Sequence, residues 1–183
     1  MNRHYNIEEF ERTALPHLAD LYRMALHLTC DSSRAEDAVQ ETCLQALRSI
    51  ERFTPGTNMR AWLFGILFNV VRHQRRQLAK VRLFSESEDG SRDRIAAPPA
   101  ISERLSDEGI LAALDRIPQP FREVILLVDV EQFAYKEAAN ILGVPVGTVM
   151  SRVSRARALL RRELAGIAKY WGIGAAATEG SVR

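Results

Sequence analysis

Residues 134–162 read AYKEAANILGVPVGTVMSRVSRARALLRR, two short helical patterns joined by a Gly-Val-Pro turn. The first covers about Tyr135 to Leu142 and buries Ala138, Ala139, Ile141 and Leu142; Gly143 and Pro145 then stop it. On a wheel of about 100° per residue, Val149, Val153, Ala156 and Leu160 fall in one narrow sector and pack inward. Met150, Ser151, Ser154, Arg155 and Arg162 point the opposite way, with Thr148 and Arg161 nearby, while Arg152 and Arg157 border the apolar sector. The pattern is that of a helix-turn-helix whose second helix enters a DNA groove.

The residue types on that outer face divide by chemistry. Arg155 offers a fork to guanine O6 and N7, Ser151 and Ser154 bond to either type of partner, and Met150 gives apolar contact. Arg152 and Arg157 are better aimed at phosphates, and Gly147 and Thr148 can present backbone N–H groups to a phosphate oxygen. No acid lies between Met150 and Arg162 to neutralise these arginines.

A chain of 183 residues is long enough for one ordinary domain or two small ones. Its formal net charge of +2 hides an uneven distribution. Arg72, Arg75, Arg76, Lys80 and Arg82 form an acid-free basic block, and the outer helix face forms a second. Between them Glu86, Glu88, Asp89, Asp93, Glu103, Asp107 and Glu108 outnumber Arg92, Arg94 and Arg104, which predicts two basic modules joined by a stretch repelled by DNA.

Working outward, Leu18, Leu21, Tyr22, Ala25 and Leu26 or Leu28 predict a first helix ending near Cys30. A second opens at Ser33, with Glu36 as capping-box partner, and runs to about Ile50 with Val39, Cys43, Ala46, Leu47 and Ile50 as its inward stripe. Its other face carries Asp37, Gln40, Glu41 and Arg48 around Leu44, a small docking patch for a basic protein surface. A loop at Phe53–Asn58 precedes a helix from about Met59 to Leu78 that buries Leu63, Ile66, Leu67 and Val70. Trp62, Gly65, Phe68, Asn69, Arg72, Arg75 and Arg76 occupy its far side, rings interleaved with cations as a single nucleic-acid strand requires. Trp62 and Phe68 also read as core rings.

Residues 85–105 read as a flexible linker, rich in Ser, Glu, Asp and Ala with Pro98-Pro99. The second module starts near Ser106 with Ile110, Leu111 and Leu114 on a helix, turns at Pro118 and Pro120, and continues in the apolar helix Phe121–Val130. Residues 169–183 read as a disordered tail. No β-alternation, repeat, phosphate loop or nucleophile elbow occurs, so the expected fold is all-α: two small helical domains, the C-terminal one a helix-turn-helix. Cys30 and Cys43, without a signal peptide before them, imply a cytoplasmic setting with reduced, buried thiols. The four histidines form no ligand spacing with them, so no metal or cofactor is expected, and the longest apolar run, Ala61–Val71, is too short for a bilayer.

With these residues in view, the runs SRAEDAVQETCLQALRSIERFTPGTNMRAWLFGILFNVVRHQRRQ (33–77) and IPQPFREVILLVDVEQFAYKEAANILGVPVGTVMSRVSRARALLRREL (117–164) resemble the extracytoplasmic-function (ECF) sigma factors of bacterial RNA polymerase. The resemblance implies that residues 1–84 form sigma region 2, which docks on core polymerase and opens the minus-10 element, and that residues 106–168 form region 4, which binds the minus-35 element. Asp37, Gln40 and Glu41 match the polymerase-binding helix; Phe53, Asn58 and Asn69 match positions that hold a flipped base, with Arg60, Trp62, Arg72, Arg75 and Arg76 on the same surface. It also implies an anti-sigma partner and no catalysis by the chain itself. Met150 and Ser154 depart from the larger or basic residues that relatives often carry there, so the promoter read by this chain does not transfer from a relative. The alternative is a stand-alone helix-turn-helix regulator, but residues 1–84 lack the α/β alternation of a receiver domain. A hydrolase reading from the Asp37/Glu41 spacing lacks a His or third carboxylate.

Overall fold

The computed structural model describes residues 7–54, 56–85 and 107–170, all of them helical or in turns and loops, with no strand among them. The expected linker, apart from Ser85, and almost all of the expected tail lie outside the described residues, as do the side chains of Ile110 and Leu111. Among the described residues, 7–85 and 133–145 form one compact unit, and 107–132 with 146–170 form another.

The first unit contains α1 (Ile7–Ala14), a 3-10 turn (Leu15–His17), α2 (Leu18–Thr29), α3 (Ser32–Arg48), a second 3-10 turn (Ile50–Arg52), and α4 (Met59–Ser85). The expected helix start at Ser33 is corrected. The N-cap is Asp31, whose extended backbone lets a side-chain oxygen accept the Arg34 N–H at 2.9 Å, a bond Glu36 has no part in. Cys30 ends α2 in the left-handed region at φ 53°. It is exposed, which corrects the expectation of two buried thiols; Cys43 is half-buried, and burial pushes its thiol pKa up.

The inward stripe of α3 is also corrected. Ala35, Ala38, Thr42 and Ala46 are buried, Val39 and Cys43 are half-buried, and Leu47 is exposed. Small residues let α3 approach α2 and α4 closely, and Thr42 is admitted because its hydroxyl donates to the Ala38 carbonyl at 2.6 Å. Against them pack Leu21, Met24, Ala25 and Leu28 of α2 and Leu63, Phe64, Leu67, Val70 and Val71 of α4. Phe68, which reads from the sequence either as an outer-face ring or as a core ring, is buried at 2 % exposure and belongs to this core. Helix α4 continues past Leu78 to Ser85.

The same unit includes α7 (Tyr135–Leu142), which packs on α4 and buries the four residues expected of it. Its N-terminus is satisfied by Glu137, whose Oε2 accepts the Ala134 N–H at 3.0 Å, and it stops at Gly143, whose φ of 66° suits glycine. Val144 N–H then reaches back to the Ala139 carbonyl at 3.1 Å, closing the turn.

The second unit contains α5 (Asp107–Arg116), α6 (Gln119–Ile125), a π-helical stretch (Leu126–Val130) and α8 (Val146–Tyr170). Pro118 caps α6 and Pro120 occupies its first turn, where the missing N–H costs nothing. The π stretch ends with Glu131 N–H bonded to the Leu126 carbonyl at 2.9 Å. Val124, Ile125, Leu126 and Leu127 are buried, as are Val149, Val153 and Ala156 of α8, which packs on α5 and α6. Each valine so buried contributes on the order of 1.5–3 kcal/mol relative to exposure. Along the chain α7, the turn 143–145 and α8 follow one another as the helix-turn-helix pattern requires.

Candidate nucleic-acid interface

The inward burial of Val149, Val153 and Ala156 fixes the rotation of α8 and thereby turns Met150, Ser151, Ser154 and Arg155 outward. All four are exposed, Met150 at 53 %. Gly147 is exposed, and Thr148 and Arg152 are half-buried; the Ser151 hydroxyl donates to the Thr148 carbonyl at 3.0 Å within the first turn. Arg157 has a partner that sequence inspection missed. Its Nε and Nη2 donate to the two carboxylate oxygens of Asp129 at 3.0 and 2.6 Å, so an acid from the π stretch does what no acid within the helix could.

A second cluster gathers where the 53–58 loop meets α4. Phe53 is buried, with its ring 5.1 Å from that of Trp62 at 49°. Asn58 caps α4, its Oδ1 accepting the Ala61 N–H at 3.1 Å, while its Nδ2 donates to Glu137 Oε1 at 2.7 Å. Arg60 lies over two rings, 4.5 Å from the Phe133 centroid and 5.0 Å from that of Phe64, and its Nε donates to Asp20 Oδ2 at 3.2 Å. Phe64 and Phe133 meet edge to face at 4.9 Å.

About two turns further along α4, Asn69 is exposed and accepts from Arg72 Nη1 at 3.4 Å. Arg72 Nη2 also donates to the Leu142 carbonyl at 3.3 Å, one of the carbonyls a helix C-terminus leaves without an intrahelical donor. Arg75 Nη2 donates to the Leu28 carbonyl at 2.7 Å, and Arg76 is exposed. The cationic run is therefore graded: Arg60, Arg72 and Arg75 are tethered to protein groups while Arg76 faces water. His17, beside Arg60, has its pKa lowered by burial first and by the Arg60 charge second, with Asp20 acting in the opposite sense.

The third face lies on α3. Asp37 and Gln40 are exposed, Glu41 is half-buried and accepts from Gln45 Nε2 at 2.8 Å, and Leu44 stands 47 % exposed among them. Asp37 also lines a cavity of about 360 Å³ with Leu28, Val71 and Arg75. Among the described residues no group of three or more His, Cys, Asp or Glu is placed to hold a metal, and no helix is long and apolar enough to cross a membrane. Sequence reasoning did not find Asp20, Asp129, Phe133 and Glu137, because each acts on a residue far away in the chain; their only local signal is an acid or ring beside a helix boundary.

Comparison with known proteins gives these faces a family. Residues 14–81 match the family model described as Sigma-70 region 2, and residues 107–160 match that described as Sigma-70, region 4. The ECF RNA polymerase sigma factor EcfG of Rhodopseudomonas palustris (strain TIE-1) is 44 % identical over 141 residues, 76 % of this chain and 76 % of that protein. Among solved structures, the sigma factor RpoE of Bartonella quintana in complex with the anti-sigma factor NepR superposes with a TM-score of 0.75 at 33 % identity, covering 87 % of this chain and 98 % of that one. CnrH in complex with the cytosolic domain of CnrY gives 0.62 at 26 % identity over 88 % and 90 % of the two chains. A helical fold without strands among its described residues, two matched regions in family order and a relative at this identity make the chain a member of the ECF sigma-factor family. It is an alternative sigma factor, which binds core RNA polymerase and directs it to promoter DNA.

Proposed function

We propose that the chain divides this work among three faces. Residues 1–84 dock on core polymerase through Asp37, Gln40, Glu41 and Leu44 and hold the melted minus-10 strand with Phe53, Asn58, Arg60, Trp62, Asn69, Arg72, Arg75 and Arg76. Residues 106–168 bind the minus-35 duplex: Met150, Ser151, Ser154 and Arg155 read bases, and Gly147, Thr148, Arg152 and Arg157 contact phosphates. The observation that carries the reading is the outward face of α8, where an exposed methionine stands with two serines and an arginine while the valines opposite them are fully buried.

The chain contributes recognition and strand separation and no bond-making group; polymerase forms the phosphodiester bond. It works in the cytoplasm with the polymerase. The relatives solved in complex with NepR and CnrY support an anti-sigma partner that covers the polymerase- and DNA-binding faces until a signal removes it. The test is in vitro transcription with core polymerase and this protein on a genomic promoter library. Initiation from a discrete promoter set is expected. No initiation on any template, together with duplex binding by the free protein as a dimer, would transfer the chain to the stand-alone regulators.

A further inference from the structure

A glycine inside a helix is destabilising, because it loses more backbone freedom on folding than any other residue and brings no side chain to pack. Gly65 stands in the interior of α4. Among the described residues, Gly56 and Gly143 adopt φ of 87° and 66°, which their turns require, but Gly65 keeps ordinary helical backbone. A Cβ built on Gly65 meets no neighbouring atom within 4 Å, so no packed element forbids alanine there. Neither backbone conformation nor packing accounts for the glycine. Gly147, which also has open space where its Cβ would lie, sits in the first turn of α8 on the face proposed to meet duplex DNA.

The surroundings of Gly65 do account for it. Trp62 lies three residues before it and Asn69 four after it, the spacing that puts all three on one face of α4. The Trp62 ring is held 5.1 Å from that of Phe53 and forms one wall, and the exposed Asn69 side chain, which accepts from Arg72 Nη1 at 3.4 Å, forms the other. From residue 62 to residue 69 the helix rises about 10 Å. Between these side chains Gly65 leaves bare backbone, a notch wide enough for a single nucleotide.

We propose that Gly65 is a steric specificity determinant for the melted strand: its missing side chain lets one nucleotide rest directly on the α4 backbone between Trp62 and Asn69. The proposal rests on the reading of those two residues as strand contacts. The contact is one of shape, since the N–H and C=O of a residue in mid-helix are spent within the helix and the Cα offers only van der Waals surface. A methyl group at that point would hold the nucleotide away, and a gap of roughly 0.5–1 Å already forfeits about a quarter to a half of such contact energy. Stability and strand binding therefore pull in opposite directions at this one position.

The experiment pairs thermal melting of the full-length chain with strand binding by its holoenzyme with core polymerase. The probe is a fluorescein-labelled single-stranded oligodeoxynucleotide carrying the non-template minus-10 segment of a promoter recovered from the transcription library. Gly65→Ala is expected to raise the melting midpoint by about 2–4 °C, the gain of alanine over glycine inside a helix, and yet to bind the strand roughly three- to tenfold more weakly. Gly65→Leu, bulkier and equally suited to a helix, should bind more weakly still. Ala79→Leu adds similar bulk at an exposed position of α4 outside the notch and should bind as the parent does.

Strand binding equal to the parent's in Gly65→Ala would overturn the proposal whatever Gly65→Leu does, and so would a loss that Ala79→Leu reproduces. A melting midpoint that fails to rise in Gly65→Ala would overturn it as well, because the fold itself would then require the glycine. Asn69→Ala in the same assay separates the notch from the reading beneath it. If that variant binds weakly while Gly65→Ala binds as the parent does, the strand face stands and the notch does not. If Asn69→Ala binds as the parent does, the strand assignment of this face fails and the proposal with it.

Discussion

Asp129 grips Arg157 with both carboxylate oxygens, tying the end of the π-helical stretch to the middle of α8. Both side chains are partly exposed, at 45 % for Arg157 and 33 % for Asp129, so the pair is screened and contributes about 0.5–1 kcal/mol at most, the upper end for surface pairs because it is bidentate. Its larger effect is on charge: an arginine at the edge of the proposed DNA-binding surface is held by an acid. Asp129→Asn should release it. The duplex affinity of the holoenzyme should then rise at low salt, and the slope of log K against log salt should steepen by up to about 0.9, one more neutralised phosphate. An unaltered slope would show that releasing Arg157 from Asp129 adds no phosphate contact.

Arg155 differs from Arg152 in exposure and therefore in expected role. Arg155 is fully out on the face of α8 whereas Arg152 is half-buried along its edge. Arg155→Ala should cost about 1–3 kcal/mol on the preferred upstream element and flatten the preference at one base pair. Arg152→Ala should weaken all sequences alike and lower the salt slope. Measuring both variants against a library substituted at each upstream position checks the division, and identical profiles would remove it.

How much could be read in advance depends on whether the deciding partner is local. The bounds of α7 and the buried set Ala138, Ala139, Ile141 and Leu142 were legible because apolar periodicity and a Gly-Val-Pro stop act within one turn. The inward rotation of α8 was legible for the same reason. The face of α3 was not: ranking by hydrophobicity favours Val39, Cys43 and Leu47, but close helix packing selected Ala35, Ala38, Thr42 and Ala46. Phe68 is legible both as an outer ring among arginines and as a core ring, and the packing selects the core. The tethers on Asn58, Arg60, Arg72 and Arg157 come from groups 28 to 79 positions away, beyond what any local pattern carries.

His17 should make the first unit sensitive to acid. Burial and the Arg60 charge hold its folded pKa below the ordinary value, so between the folded and unfolded values the unfolded chain binds the extra proton. The stability contribution is complete above the unfolded value of about 6.5 and is lost as pH falls through the folded one. His17→Gln should therefore reduce the drop in chemical-denaturation midpoint between neutral pH and pH 5. A drop of the same size in the variant would place the acid sensitivity in the carboxylates.

Leu44 carries the clearest prediction about polymerase. It is 47 % exposed on α3 between Gln40 and Glu41 on one side and Gln45 and Arg48 on the other, in a helix whose packing is supplied by Ala38, Thr42 and Ala46 on the opposite face. Because the side chain supports no core, Leu44→Asp should change folding stability by about 0.5 kcal/mol or less, within the range of ordinary surface substitutions. In a docked complex the same leucine would be covered, and an added carboxylate would have to be desolvated there. Binding to core polymerase should accordingly fall by one to two orders of magnitude, about 1.4–2.8 kcal/mol. Glu41→Lys should reduce binding in a salt-dependent way, since it reverses a charge on the proposed docking face, whereas the loss in Leu44→Asp should persist at high salt. Titration of labelled chain with core polymerase at two ionic strengths separates the apolar contribution from the electrostatic one, and unchanged affinity in both variants would move the docking face off α3.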